Sequence, residues 1–238
     1  MDKNRVGQHI SAEFNNELAD IASRVLLMGG MVEQQIRDAL EALVEGNQKL
    51  GAVVVSNDHR VNALEVAIDE ECMQVIARRQ PAAGDLRLVV TAIKVITDLE
   101  RIGDEAEGIG HVALTYVPPG PGANMELRTM GRHVSQMVRN ALDAFARTDV
   151  ELALQVARDE EMVDQEYDSL VRQLITYMME DPRTISGTIQ LLWAARALER
   201  IADHARNIAE YIVFLVRGRD VRHLTVDQME KAARDVRR

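Results

Sequence analysis

Four pairs of oxygen-bearing side chains in this chain, each with a spacing of four residues, could hold a metal ion. Two of these pairs lie in nearly identical contexts, Glu100 with Asp104 and Glu199 with Asp203. On a helix, residues at this spacing share one face about one turn apart. Each pair therefore places two carboxylates side by side, and their mutual repulsion calls for a compensating charge.

Two further pairs repeat the spacing earlier in the chain, Asp58 with Asn62 and Glu160 with Asp164. If the helices that carry an early and a late pair are adjacent, the oxygens converge into a cluster. Such a cluster suits hard cations such as iron, manganese or magnesium. Asn62 is a neutral amide, so we expect less negative charge and weaker metal binding at the earlier site.

Other groups could supply the compensation instead. Arg101 and Arg200 each follow a glutamate of a pair, and solvent alone could screen the charges. From spacing alone, a solvated or arginine-paired acidic face is the more common meaning of such pairs. His204 is expected on an exposed helix surface and not as a metal ligand.

A long internal repeat gives the acidic pairs more weight. LERIGDEA at residues 99–106 returns as LERIADHA at 198–205, a shift of 99, and residues 32–62 align with 134–164 at a shift of 102. The carboxylates persist in both copies, whereas Glu105 and Glu107 align with His204 and Arg206. A period near 100 residues is typical of a duplicated small domain.

The apolar pattern predicts three helices in each copy. Apolar residues recur at steps of three and four, which predicts helices that pack in a bundle. Glycines in the third helix of the first copy predict a close approach of neighbouring backbones. Loops are expected at residues 46–51 and around Pro81 and Pro182. The predicted helices cover residues 13–45, 54–79 and 88–113, then 125–147, 152–179 and 191–216.

These elements predict an all-α fold of two tandem, pseudo-symmetric three-helix bundles. Consecutive helices joined by short turns pack antiparallel. Residues 117–124 are crowded with proline and glycine, where a helix is implausible. We therefore predict a first repeat over residues 1–117, a linker over 118–124 and a second repeat with a C-terminal tail over 125–238.

Composition narrows the classes of function. The chain has 238 residues, 47% apolar, and a net charge of −10, which argues against nucleic acid as a principal partner. The basic residues from 217 to 222 and at 237 and 238 are expected to form a solvated tail. The single Cys72 is expected in the core, and the absence of an apolar leader or of a 20-residue apolar run predicts a cytoplasmic protein with at most peripheral membrane contact.

The sequence contains no catalytic constellation. It lacks a Walker loop, a Gly-x-Ser-x-Gly elbow and zinc-type cysteine and histidine spacing. A ferritin-like di-iron site requires histidine three residues after glutamate, and Ala202 stands there after Glu199. No catalytic or organic-cofactor residues are therefore assigned.

The duplicated motifs resemble the PhoU family. The resemblance covers nearly the whole chain and rests on three segments: HISAEFNNEL at residues 9–18, ARRQPAAGDLRLV at 77–89 and DLERIGDEA at 98–106. It implies two similar three-helix bundles. It also implies multinuclear metal ions (iron, manganese, zinc or magnesium) on the acidic motifs, which in this chain are Asp58, Asn62, Glu100, Asp104, Glu160, Asp164, Glu199 and Asp203.

The resemblance further implies a regulator that represses the phosphate-starvation response when phosphate is plentiful. Such a protein would couple the ATPase subunit of the phosphate ABC transporter to a sensor histidine kinase and modulate phosphate uptake. Oligomers are common among rigid helical proteins, and we expect a homodimer. The alternative is a carboxylate-cluster metalloenzyme acting on a phosphate compound, whose turnover would vanish in Glu199→Ala or Asp203→Ala without loss of folding.

Overall fold

The computed structural model describes residues 3–116 and 124–234, with side chains from residue 12 onward. In these ranges the chain forms helices, turns and short connections, and no strand. None of the described helices is both long and apolar enough to cross a bilayer. The helices are α1 (Lys3–Glu45), α2 (Gln48–Arg79), α3 (Ala83–Thr115), α4 (Met125–Arg147), α5 (Val150–Glu180), α6 (Ile185–Arg217) and α7 (Val226–Arg234), with a 3₁₀ turn at Pro182–Thr184.

The helices pack as two similar groups, which confirms the predicted fold class. In the first half α1, α2 and α3 pack on one another, and in the second half α4, α5 and α6 do the same. The halves meet where α3 packs along α6 and where α1 packs against α4. The predicted linker, residues 118–124, lies outside the described residues except for Asn124, so the domain boundaries stay predictions.

The turn between the first two helices of each half is built in the same way. Gly46 ends α1 with φ +66°, and the Asn47 side chain accepts from the Leu50 amide at 3.1 Å. In the second half Thr148 has φ +50°, and Asp149 accepts from the Leu152 amide at 3.1 Å. Side-chain oxygens at these cap positions satisfy amides that have no partner within the helix. The two halves therefore also share the way in which the N-terminus of their second helix is capped.

The predicted loop at residues 46–51 is limited to residues 46 and 47. Helix α2 begins at Gln48, and Gly51 lies buried inside it. A Cβ built on Gly51 would lie 3.0 Å from the carbonyl oxygen of Gly110 in α3, so the glycine serves a close helix contact and not a turn. The predicted close approach in the third helix is confirmed at Gly110, where a Cβ would lie 3.0 Å from Val54.

Between the two basic stretches that we expected to be solvated, the C-terminal segment forms a packed helix that we did not predict. Helix α7 packs on α5 and buries Val226, Met229 and Ala233. Arg158 of α5 donates to Glu230 of α7 at 2.8 Å. The amphipathic stretch is only nine residues long and follows a charged segment, so its apolar spacing is a weak signal in the sequence. Residues 237 and 238 lie outside the described part of the chain.

A reciprocal contact between α1 and α4 joins the halves. A Cβ on Gly29 would come within 3 Å of the Leu142 side chain, and a Cβ on Gly131 would come within 3 Å of the Leu40 side chain. Gly131 and Leu142 follow Gly29 and Leu40 by 102 residues, the shift of the repeat. Each half thus supplies one leucine and one leucine-sized hollow. We call this pair of contacts the glycine–leucine lock.

A polar contact joins α3 to α6. Asp98 is 6% exposed and accepts from His204 Nδ1 at 2.7 Å and from Asn207 Nδ2 at 3.0 Å. It also hydrogen-bonds the Tyr211 side chain. His204 is therefore half-buried at the contact between the halves and is not on the exposed surface that we predicted. Cys72, by contrast, is fully buried as predicted.

Candidate metal centre

The first half brings together an early and a late acidic motif. Oxygens of Asp58 from α2 and of Asp104 and Glu107 from α3 all lie within 4.8 Å of one another. Asp58 is 5% exposed, because α2 and α3 pack closely along this stretch. Burial and the nearby charge of Asp58 raise the pKa of the Asp104 carboxyl.

Amide side chains line the buried end of this cluster. Gln35 of α1 donates to Asp58 at 3.0 Å, and Asn62 Nδ2 donates to the other Asp58 oxygen at 3.0 Å. The Asn62 carbonyl oxygen is buried and has no hydrogen-bond partner among the described residues. A buried polar atom without a partner is costly, so this oxygen is available to a ligand.

Glu100 and Glu65 extend the cluster outward. Burial raises the pKa of the Glu100 carboxyl, and the charges of Asp104, Glu65 and Asp58 raise it further. Burial and the charges of Asp69 and Asp104 likewise raise the pKa of Glu65. These carboxyls therefore lie close enough to repel one another.

The second half forms the corresponding cluster from Glu160 and Asp164 of α5 and Asp203 of α6. One oxygen of each lies within 4.8 Å of the others. Glu199 is the remaining predicted ligand of this half. Burial raises the pKa of its carboxyl, and the nearby charges of Asp203 and Asp164 raise it further. Its Oε2 atom is buried without a partner among the described residues, while Oε1 accepts from Arg196 at 2.5 Å.

Two arginines occupy the second cluster, and this distinguishes it from the first. Arg206 donates to Glu160 at 2.6 Å and to Glu210 at 3.3 Å, and Arg196 binds Glu199. Arg206 stands where the repeat places Glu107 in the first half. In the second cluster the guanidinium group of Arg206 thus takes the position that the Glu107 carboxylate has in the first cluster.

The charge difference between the two clusters is the reverse of our expectation from Asn62. The first cluster assembles five carboxylates with one arginine, Arg101, which lies 3.4 Å from Glu100 and 3.7 Å from Asp104. The second assembles four carboxylates with two arginines, of which Arg206 is shared with a further carboxylate, Glu210. Arg200 does not compensate the pair beside it and instead pairs with Glu105 of α3 at 3.0 Å.

Sequence reasoning missed Glu65 and Glu107. Each lies seven residues after a predicted ligand, Glu65 after Asp58 and Glu107 after Glu100, which keeps it on the same helical face. We had weighted residues that recur in both copies, and these two align with Tyr167 and Arg206. Heptad spacing within one helix would have identified them.

The donor set fits a metal ion of the hard class. It consists of oxygen atoms from carboxylates and one amide, the ligands that magnesium, manganese and iron accept. The partnerless oxygens of Asn62 and Glu199 and the raised pKa values of the carboxyls show that charge and polarity here lack full compensation. A bound cation would supply that compensation.

A duplicated all-α protein with an acidic cluster in each half is thus the class that fold and site define. Residues 25–113 and 127–212 each match the PhoU domain. Relatives described as phosphate-specific transport system accessory proteins match nearly end to end. One from Pseudomonas aeruginosa is 49% identical over 97% of this chain and 96% of its own length, and one from Escherichia coli is 47% identical over the same shares.

Solved structures agree with these matches. The crystal structure of PhoU from Pseudomonas aeruginosa superposes with a TM-score of 0.82 at 49% identity, covering 87% of this chain and 100% of that one. The phosphate transport system regulatory protein PhoU from Streptococcus pneumoniae gives a TM-score of 0.82 at 30% identity, with 87% and 99% coverage. The chain belongs to the PhoU family, whose members in these matches are accessory or regulatory proteins of phosphate transport.

Proposed function

We propose that this chain is a cytoplasmic, non-enzymatic regulator that represses the phosphate-starvation response when phosphate is plentiful. It would do so by contact, coupling the ATPase subunit of the phosphate ABC transporter to a sensor histidine kinase and so modulating phosphate uptake. The observation that carries this proposal is the end-to-end match to accessory proteins of the phosphate-specific transport system.

The architecture is consistent with a role in binding partners. Long helices packed into two similar groups present extended faces. The buried side chains along α3 and α6 are largely alanine and aliphatic residues, which gives a rigid core. Acidic clusters near these faces would favour partners with basic surfaces, since complementary charge guides association. We expect the protein to act as a homodimer.

A cellular test and a binding test together address this function. In a strain lacking the gene, a reporter of the starvation response should be active in phosphate-rich medium, and expression of this chain should repress it. The purified chain should also bind the isolated ATPase subunit and the cytoplasmic part of the kinase in biolayer interferometry. An unchanged reporter would contradict the regulatory role, and repression without binding to either protein would contradict direct coupling.

We further propose that the acidic clusters bind metal ions, with the first half as the stronger site. Asp58, Asp104 and Glu107 would hold the ion, with the Asn62 oxygen and Glu100 beside them. In the second half Arg206 already neutralises Glu160, so the electrostatic attraction for a cation is smaller there. When bound, the ion would neutralise the repelling carboxylates and stiffen the α2–α3 contact.

Isosteric amide variants test whether the first cluster binds metal more strongly than the second. We expect Asp104→Asn combined with Glu107→Gln to lower the manganese or iron content of the purified, untagged protein by about tenfold or more, because changes even to the partners of metal ligands cost about 10–100-fold in affinity. Asp164→Asn combined with Asp203→Asn should cause a smaller loss, and Glu151→Gln with Glu180→Gln, at exposed positions, none. Elemental analysis gives the content.

Thermal unfolding gives a second readout. Added manganese should raise the melting temperature of the unmodified protein and of the second-half variant, because a ligand of the folded state stabilises it. It should not do so for the first-half variant. Equal, negligible metal in every sample would show that the clusters are surface electrostatics only.

A further inference from the structure

A groove between α1 and α4 gathers four guanidinium groups. Its volume is about 760 Å³, and Arg37 of α1 lines it with three arginines of α4. The three are Arg128, Arg132 and Arg139, whose spacing of four and seven residues aligns them on one helical face. We call this the arginine groove. Two acidic side chains, Glu41 and Glu45, also line the groove, so its lining carries an excess of positive charge on a chain whose net charge is −10.

Glutamates of the chain already occupy some of these guanidinium groups. Arg128 pairs with Glu45, and both side chains are about half exposed. Arg37 and Arg139 each lie 3.2 Å from Glu33, whose side chain is only 16% exposed. Exposed ion pairs such as Arg128 with Glu45 contribute little to stability, so a ligand with more charge than one carboxylate can displace Glu45.

Arg132 is the arginine with the greatest capacity for a ligand. Among the described residues its side chain donates to the Thr129 hydroxyl at 3.3 Å and pairs with no carboxylate. Guanidinium groups bind phosphate oxygens through paired hydrogen bonds, and these are stronger than bonds between neutral groups. Arg132 can make such a pair without first giving up an acidic partner.

The volume of the groove and its apolar lining restrict the class of ligand that it can bind. The volume falls within the range of small-molecule sites and far exceeds that of one phosphate ion. Leu40 and Val44 form an apolar part of the lining. A ligand with several anionic groups is needed to engage arginines on both helices.

We propose that the arginine groove binds an anion that carries two or more phosphate groups. The ligand is either an inorganic polyphosphate or a nucleotide, which share the chemistry that the guanidinium groups recognise. Such a ligand would bridge α1 and α4 and so bridge the two halves of the molecule. The inference does not depend on the proposed metal sites or on the proposed regulatory contacts.

Calorimetry of metal-free protein at physiological salt tests the site with tripolyphosphate, pyrophosphate, ADP and orthophosphate. We expect saturable binding of tripolyphosphate with one site per chain, at least about tenfold tighter than orthophosphate. ADP binding tighter than pyrophosphate would place a nucleoside on Leu40 and Val44, and equal affinities would assign the site to inorganic chains. Either result supports the proposal.

Three variants relate the binding to the groove. Arg132→Ala should weaken tripolyphosphate binding about tenfold or more, whereas Arg172→Ala, an exposed arginine of α5, should change it by less than about twofold. Glu45→Gln removes the competing carboxylate of Arg128 and should tighten binding. No saturable binding, or an equal loss in Arg132→Ala and Arg172→Ala, overturns the proposal. Equally tight binding of a pentaglutamate peptide also overturns it, in favour of an acidic protein segment.

Discussion

Replacing Gly29 and Gly131 together by alanine should lower the free energy of unfolding by about 2–6 kcal/mol. Each new methyl group would overlap a leucine of the opposite half within 3 Å, and overpacking of a well-filled contact costs about 1–3 kcal/mol per site. Urea denaturation followed by circular dichroism measures the change. The effect is large because both substitutions act on the same contact between the halves.

The neighbouring glycine provides a matched control. A Cβ on Gly30 would meet nothing within 4 Å, so Gly30→Ala should be neutral or stabilise the helix by up to about 1 kcal/mol. Leu142→Ala should partly relieve Gly29→Ala, because it vacates the space that the methyl group needs, and a double-mutant cycle quantifies that coupling. Equal effects of Gly29→Ala and Gly30→Ala would contradict the glycine–leucine lock.

Asp98→Ala should lower the free energy of unfolding by about 3 kcal/mol. The change removes the shared acceptor of His204, Asn207 and Tyr211 at the contact of α3 with α6. Donors left without a partner in a buried contact account for a cost of about this size. Thr97→Ala is the control, since its exposed hydroxyl bonds only within α3, to the Ile93 carbonyl.

Tyrosine titration tests the same contact independently of stability. Burial raises the pKa of the Tyr211 hydroxyl, and the adjacent charge of Asp98 raises it further. In Asp98→Ala the pKa of Tyr211 should therefore fall toward its ordinary value, and the ultraviolet titration of phenolate formation should shift to lower pH. An unchanged titration together with unchanged stability would show that Asp98 does not hold the two helices.

Local patterns were sufficient to predict the repeated helices and the pairing of early and late acidic motifs. Apolar steps of three and four depend only on the chain itself, and so do the shifts of 102 and 99 residues. The contacts between the halves could not be predicted in this way. Leu142 packs on Gly29 across 113 positions, and nothing in the spacing indicates which helices of the two halves meet.

Two differences between our expectations and the structure have related physical causes. We placed Gly51 at the end of a loop, because its contact with the backbone of Gly110, which is distant in sequence, could not be foreseen. We expected the weaker metal site in the first half because only the ligand pairs were counted, and the relative metal affinity of the two clusters stays a prediction. Arg206 reaches Glu160 from another helix, and that contact reverses the charge balance.

The glycine–leucine lock also bears on the origin of the chain. Each repeat carries both complementary parts on one face, so a protein with a single repeat would have been self-complementary there. Two copies related by a twofold axis would then have formed the same pair of contacts, as isologous dimers do. Gene duplication followed by fusion would convert this dimer interface into the internal contact of α1 with α4. The lock can thus be understood as the remnant of an ancestral homodimer.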